Sequence, residues 1–89
     1  MKIENTLRED IGFFIRSSRQ EKSLSASQLG DLIKISQQQI SRYERGINTI
    51  NIEMLNKILI ALDKSWSDFF FNVMAYHSKE IERLKTKMY

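Results

Sequence analysis

Cysteine and proline are absent from this 89-residue chain, glycine occurs three times and histidine once. Without cysteine there is neither a disulfide framework nor a thiolate metal site, which suits a reducing compartment and makes a cytoplasmic location the expectation. The lone His77 has no second histidine or cysteine with which to share a metal, and a Ser–His–Asp arrangement would have to use that same residue. The glycines, at 12, 30 and 46, are not in phosphate-loop spacing. An enzyme is therefore not expected, and neither a cofactor nor a small-molecule ligand is evident. The longest purely apolar run, residues 58–62, is far short of the ~20 residues that a membrane span needs. Acids interrupt every apolar stretch of MKIENTLRED, so the N-terminus does not read as a signal peptide.

What remains is ordinary globular material. Apolar residues make up 42% and charged residues 28%, with 14 Lys+Arg against 11 Asp+Glu for a net charge of +3. The length supports one small domain. Sparse punctuation and the lack of period-two alternation favour an all-α fold.

Ile3, Leu7, Ile11, Phe14, Ile15 and Ser18 fall on one stripe and predict a first helix over about 5–22. Ser25 and Gln28 form a capping box that opens a second helix, which buries Leu29 and either Leu32 or Ile33 and ends near Lys34. Ser36 and Gln39 repeat the box at once, so the two short helices meet through a turn over 34–36, and Gly46 closes the later one. Asn51 caps a fourth helix with Ile52, Leu55, Ile58, Leu59 and Leu62 as its buried face. Ser65 and Asp68 start a fifth, to which Trp66, Phe69 and Phe70 add aromatic bulk. Nothing from 71 to 89 breaks that helix, so it is expected to run on.

Two brief capped helices joined by a tight turn, with a third packed across them, form a helix-turn-helix unit, here about 25–45. With Ile40 at the centre of the buried side and 100° per residue, Tyr43 and Glu44 lean inward. Gln38, Arg42 and Arg45 point away, Gln39 and Ser41 lie on the flanks, and Gln37 occupies the N-terminal tip. This outward set contains no acid. Glutamine can pair bidentately with adenine and arginine with guanine in the major groove. The plainer reading is a solvated helix face that happens to be rich in glutamine. Exposed helices usually mix Glu and Lys, however, and three consecutive glutamines directly after a cap favour nucleic-acid contact.

The run from Ile11 to Phe70 resembles the Cro/phage-repressor (XRE-type) helix-turn-helix family of DNA-binding proteins. The resemblance lies in Ile15-Arg16 with Arg19, Leu24-Ser25, Gln28-Leu29-Gly30, Ile35-Ser36, Ile40-Ser41, Tyr43-Glu44-Arg45-Gly46, Leu55 and Ala61-Leu62. Residues 36–46, SQQQISRYERG, also resemble the recognition segment of MrpJ-like regulators encoded with bacterial fimbrial operons, which are thought to couple adhesion to motility. The resemblance implies a five-helix, lambda-repressor-like fold and a double-stranded DNA partner. It places Gln37, Gln38 and Arg42 at base edges, and Gln39 and Ser41 at bases or phosphates. Arg45, Asn48 and Thr49 fall where the family meets the backbone, and Arg19 and Glu44 match a structural ion pair. Three departures stand out. Ala26 replaces a polar phosphate-holding residue, leaving Ser25 or Ser27 to substitute. Gly30 stands where alanine is usual. Lys34 takes a turn position commonly filled by glycine, with strain of order 1 kcal/mol if φ is positive.

Basic residues concentrate in the motif, with three against one acid in both 16–22 and 34–45. The low total charge implies few phosphate contacts and reliance on a second subunit. Phe70, Met74, His77, Ile81, Leu84 and Met88 are spaced 4, 3, 4, 3, 4 as a heptad seam. The chain is thus expected to comprise a DNA-binding domain over 1–70 and a dimerising C-terminal helix over 71–89, although that stripe can also fold back on its own domain. The leading expectation is a homodimeric transcriptional regulator of a palindromic operator, acting on fimbrial and motility genes. An antitoxin or adaptor on the same fold is the competing one.

Overall fold

The structure is a computed structural model and describes residues 5–77. Five α-helices account for its regular structure: α1 (Leu7–Glu21), α2 (Ala26–Ile33), α3 (Gln37–Glu44), α4 (Ile52–Ala61) and α5 (Trp66–Val73). No strand occurs among the described residues.

Every helix starts on a hydroxyl or carboxamide cap. Ser25 and Ser65 make the expected reciprocal boxes with Gln28 and Asp68. Thr6, not anticipated, does the same for α1 with Glu9. Asn51 caps α4 through the Met54 N–H, 2.8 Å away. The box expected at α3 is one-sided. The Ser36 hydroxyl accepts from the Gln39 N–H at 3.1 Å, but the Gln39 side chain does not reach back.

The helix ends explain how a chain with so little glycine turns so sharply. Ser23, Lys34 and Asp63 all adopt left-handed backbone, with φ of 57°, 61° and 56°, and only α3 uses a glycine there, Gly46 at 72°. After α1, α3 and α4 the chain closes in paired hydrogen bonds of the Schellman type. Leu24, Ile47 and Lys64 donate their N–H groups to the carbonyls of Arg19, Arg42 and Leu59, at 3.1, 3.0 and 2.9 Å.

α4 is the hub. Its Leu55 and Leu59 join Phe14, Phe69 and Val73 in one apolar cluster, and its Ile58 and Leu62 join Ile15, Leu29 and Ile40 in another. Phe14 and Ile15, adjacent but 100° apart on α1, enter different clusters. One apolar expectation is corrected and one open alternative is resolved. Ile52, expected in the core, is 72% exposed because it opens α4 at the edge of the apolar stripe. Between Leu32 and Ile33, it is Ile33 that packs inward and Leu32 that faces out. Trp66 and Phe70 are also exposed, so Phe69 alone of the three aromatics is buried.

The expected unbroken helix beyond 71 is also corrected within the described residues. α5 ends at Val73 and tightens into a 3₁₀ turn over Met74–His77. The boundary expected at 70 falls inside α5, whose Val73 is fully buried against α1 and α4. Ile3, Ile81, Leu84, Met88 and the His77 side chain lie outside the described residues.

Candidate nucleic-acid interface

α3 is eight residues long and too short to be helical by itself, so its position rests on what it packs against. Ile40, fully buried, is its apolar anchor, contributing about 1.5–3 kcal/mol by burial. Tyr43 and Glu44 turn inward as the helical period requires.

Glu44 ends the helix against α1. Arg19 donates to it bidentately, Nε to Oε2 at 2.6 Å and Nη2 to Oε1 at 2.9 Å, and Nη1 donates to the Leu24 carbonyl at 2.9 Å. The two side chains are only 13% and 7% exposed. Hydrogen bonding to Glu44 holds the guanidinium pKa above its ordinary value despite the opposing effect of burial. With its third bond the pair ties α1, the loop after it and α3 together.

Two glycines set the helix spacings. A Cβ at Gly12 would lie 2.5 Å from the Tyr43 carbonyl oxygen and close upon that of Glu44, so α3 can sit against α1 only because residue 12 has no side chain. A glycine in mid-helix costs about 1 kcal/mol relative to alanine, which is the sequence signal that marks it. At Gly30 a Cβ would meet the Ile35 carbonyl oxygen at 2.5 Å. The alanine usual in the family would therefore not fit here without a shift in the turn. That turn spans 34–36 as expected, with Lys34 in the left-handed region and the Ile35 N–H bonded to Gly30 at 2.9 Å.

The outward side of α3 is bare. Gln37, Gln38, Arg42 and Arg45 are exposed, and Gln39 and Ser41 are half-buried on the flanks. None of these six side chains makes a hydrogen bond or ion pair among the described residues. Thr49 is exposed and Asn48 half-buried in the loop after α3. The Ser25 hydroxyl is engaged as a cap, accepting from the Gln28 N–H at 3.0 Å, whereas Ser27 is exposed without such an engagement. The first turn of the expected dimer seam divides: Phe70 is 56% exposed, while Met74 packs partly against the Phe14–Val73 cluster. Among the described residues there is no grouping of acids and histidine able to hold a metal, and no helix is long and apolar enough to cross a membrane.

Comparison with known proteins gives these features a family. The family model described as Helix-turn-helix (HTH_3) matches residues 15–69. An uncharacterized HTH-type transcriptional regulator of Rickettsia conorii is 43% identical over 61 residues, 68% of this chain and 48% of its own length. A counterpart in Rickettsia prowazekii is 43% identical over 61 residues and matched over 46% of its length. The chain thus spans about half the length of these relatives. Among solved structures, the clp gene regulator ClgR of Corynebacterium glutamicum superposes with a TM-score of 0.78 at 28% identity, covering 85% of this chain and 97% of that one. The restriction-modification controller protein C.Esp1396I, crystallised as a tetramer with its natural 35-base-pair operator, gives a TM-score of 0.72 at 26% identity, over 82% of this chain and 96% of that one. An all-α arrangement with a capped α2–turn–α3 unit, a buried Arg19–Glu44 pair and a family match across more than half its length lead to one assignment: the chain belongs to the helix-turn-helix family HTH_3, the Cro/phage-repressor (XRE) type of transcriptional regulator.

Proposed function

We propose that this chain is a sequence-specific DNA-binding regulator that acts as a homodimer on a palindromic operator. The observation that carries the proposal is the bare outer side of α3, where glutamines and arginines project without intramolecular partners from a helix fastened on its other side. Gln37, Gln38 and Arg42 read base edges. Gln39 and Ser41 meet bases or phosphates, and Arg45, Asn48, Thr49 and Ser27 meet the backbone, with the Ser25 hydroxyl retained mainly as a cap. The operator complex of C.Esp1396I supports this reading, as does the ClgR likeness. A two-fold dimer would set two α3 helices about 34 Å apart in successive major grooves. Exposed Phe70, with Met74 beside it and the seam residues His77, Ile81, Leu84 and Met88 beyond, supplies the self-association surface of a C-terminal unit running to 89. A gene regulator of this kind works in the cytoplasm. The likeness of residues 36–46 to MrpJ-like regulators extends the proposal to fimbrial and motility genes.

The test is genome-wide occupancy followed by binding of the recovered site. Gln38→Ala and Arg42→Ala should each weaken that site by about 1–3 kcal/mol, roughly 5- to 150-fold, with unchanged melting and oligomeric state. Wild-type binding by both variants would remove the α3 face from the mechanism.

A further inference from the structure

Between α2 and the C-terminal half of α4 runs an open trough of about 440 Å³, lined by Leu32, Ile33, Lys34, Lys57, Ile60 and Ala61. One wall is the end of α2. The other is a face of α4 on which Lys57, Ile60 and Ala61 stand three and four residues apart. Leu32 is 60% and Ile60 68% exposed, so the trough has uncovered branched apolar surface on both of its sides. Each wall also carries a lysine, neither lysine has a hydrogen bond or ion pair among the described residues, and no carboxylate lines the trough. Lys34 adds a second peculiarity, because it holds this position in left-handed backbone, where glycine would be relaxed. A cation in left-handed backbone thus lies beside an uncovered apolar strip.

The trough is too open to enclose a small molecule, which binding sites usually bury on most sides. Its lining, apolar but for one lysine from each of its two sides, is the complement of an amphipathic helix with acidic flanks. We propose that it docks such an acidic amphipathic helix from a partner protein. Apolar side chains at i, i+3 and i+4 of that helix seat between Leu32 and Ile60, and carboxylates on its two flanks meet Lys34 and Lys57. The site lies on α2 and α4, apart from the outward side of α3, so it stands independently of the DNA-binding reading.

The experiment is an amide chemical-shift titration of the full chain with three probes. The first is a synthetic helix about 14 residues long, with leucine at heptad positions a and d and glutamate at e and g. The second carries lysine in place of glutamate, and the third is a mixed-sequence DNA duplex. Shifts should centre on 32–34 and 57–61 with the glutamate peptide, which should bind at least about tenfold more tightly than the lysine peptide. Ile60→Ser and Lys57→Glu should each weaken it by at least about tenfold while melting and duplex binding stay at wild-type values. Absent or displaced shifts would overturn the proposal, as would equal binding of the two peptides. So would a duplex that perturbs these same residues, since the lysines would then serve nucleic acid.

Discussion

Lys34 ends α2 with φ 61° and ψ 45°, a conformation that costs a side-chain-bearing residue about 1 kcal/mol more than glycine. Lys34→Gly should therefore stabilise the fold by about 0.5–1 kcal/mol, read as a rise of roughly 4–8 °C in Tm per kcal/mol. Gly12 presents the opposite case. Gly12→Ala gains helix propensity but drives a methyl into the Tyr43 and Glu44 carbonyls, so overpacking of about 1–3 kcal/mol should dominate and the denaturation midpoint should fall. Arg19→Ala removes the guanidinium partner of Glu44, whose side chain is only 7% exposed in the intact pair, an expected loss of about 3–5 kcal/mol. Arg19→Lys should recover only part of it, because a single ammonium cannot replace the bidentate bond and the bond to Leu24 together. Urea denaturation of the three Arg19 forms orders them.

At the scale of elements, short helices depend on their ends. Ser36→Ala removes the hydroxyl that accepts from Gln39 at α3, and it should cost about 1 kcal/mol without touching the outward side chains. The ends of α1 and α4 are cross-linked by reciprocal ion pairs, Lys22 to Asp63 and Lys64 to Glu21, each at 2.8 Å. The Lys22 contact holds the Asp63 carboxyl below its ordinary range, and the hydrogen bonds from Ser65 do the same for Asp68. Depressed folded-state values mean that the unfolded chain binds protons more readily. These contributions are thus complete above the ordinary aspartate range and disappear as pH falls through the lowered values. Lys64, raised by its hydrogen bond to Glu21, contributes below the ordinary lysine range and loses that contribution as pH climbs past its raised value. Melting followed from pH 5 down to 2 should show the acid-side loss. Added salt should shrink the part due to Lys22–Asp63 more than the part due to the Ser65 cap, since the ion pair is exposed and the cap is a short-range bond.

For the whole molecule, two apolar clusters share α4, and α5 belongs to one of them through Phe69 and Val73. Removing the chain after residue 72 would therefore open the core by deleting Val73 and would not probe self-association cleanly. Phe70→Ser is the better test. Phe70 is 56% exposed and meets Phe71 edge-to-face with centroids 5.8 Å apart. This variant should keep its helical circular dichroism yet sediment as a lighter species. Its operator affinity should fall by roughly 10²-fold, because linked half-sites are lost. Unchanged sedimentation would remove Phe70 from the dimer surface.

Local chemistry alone determined the caps at Ser25, Ser36, Asn51 and Ser65, the turn at 34–36 and the side of α3 that faces away from Ile40. A cap needs only residues three positions apart, and a helix face needs only its period. Tertiary structure decided which of Leu32 and Ile33 is covered, that Ile52 and Phe70 are not, that residue 12 must be glycine, and that the helical path tightens at Met74. Each of these turns on how closely a second element approaches, and that distance is set by packing between residues remote along the chain.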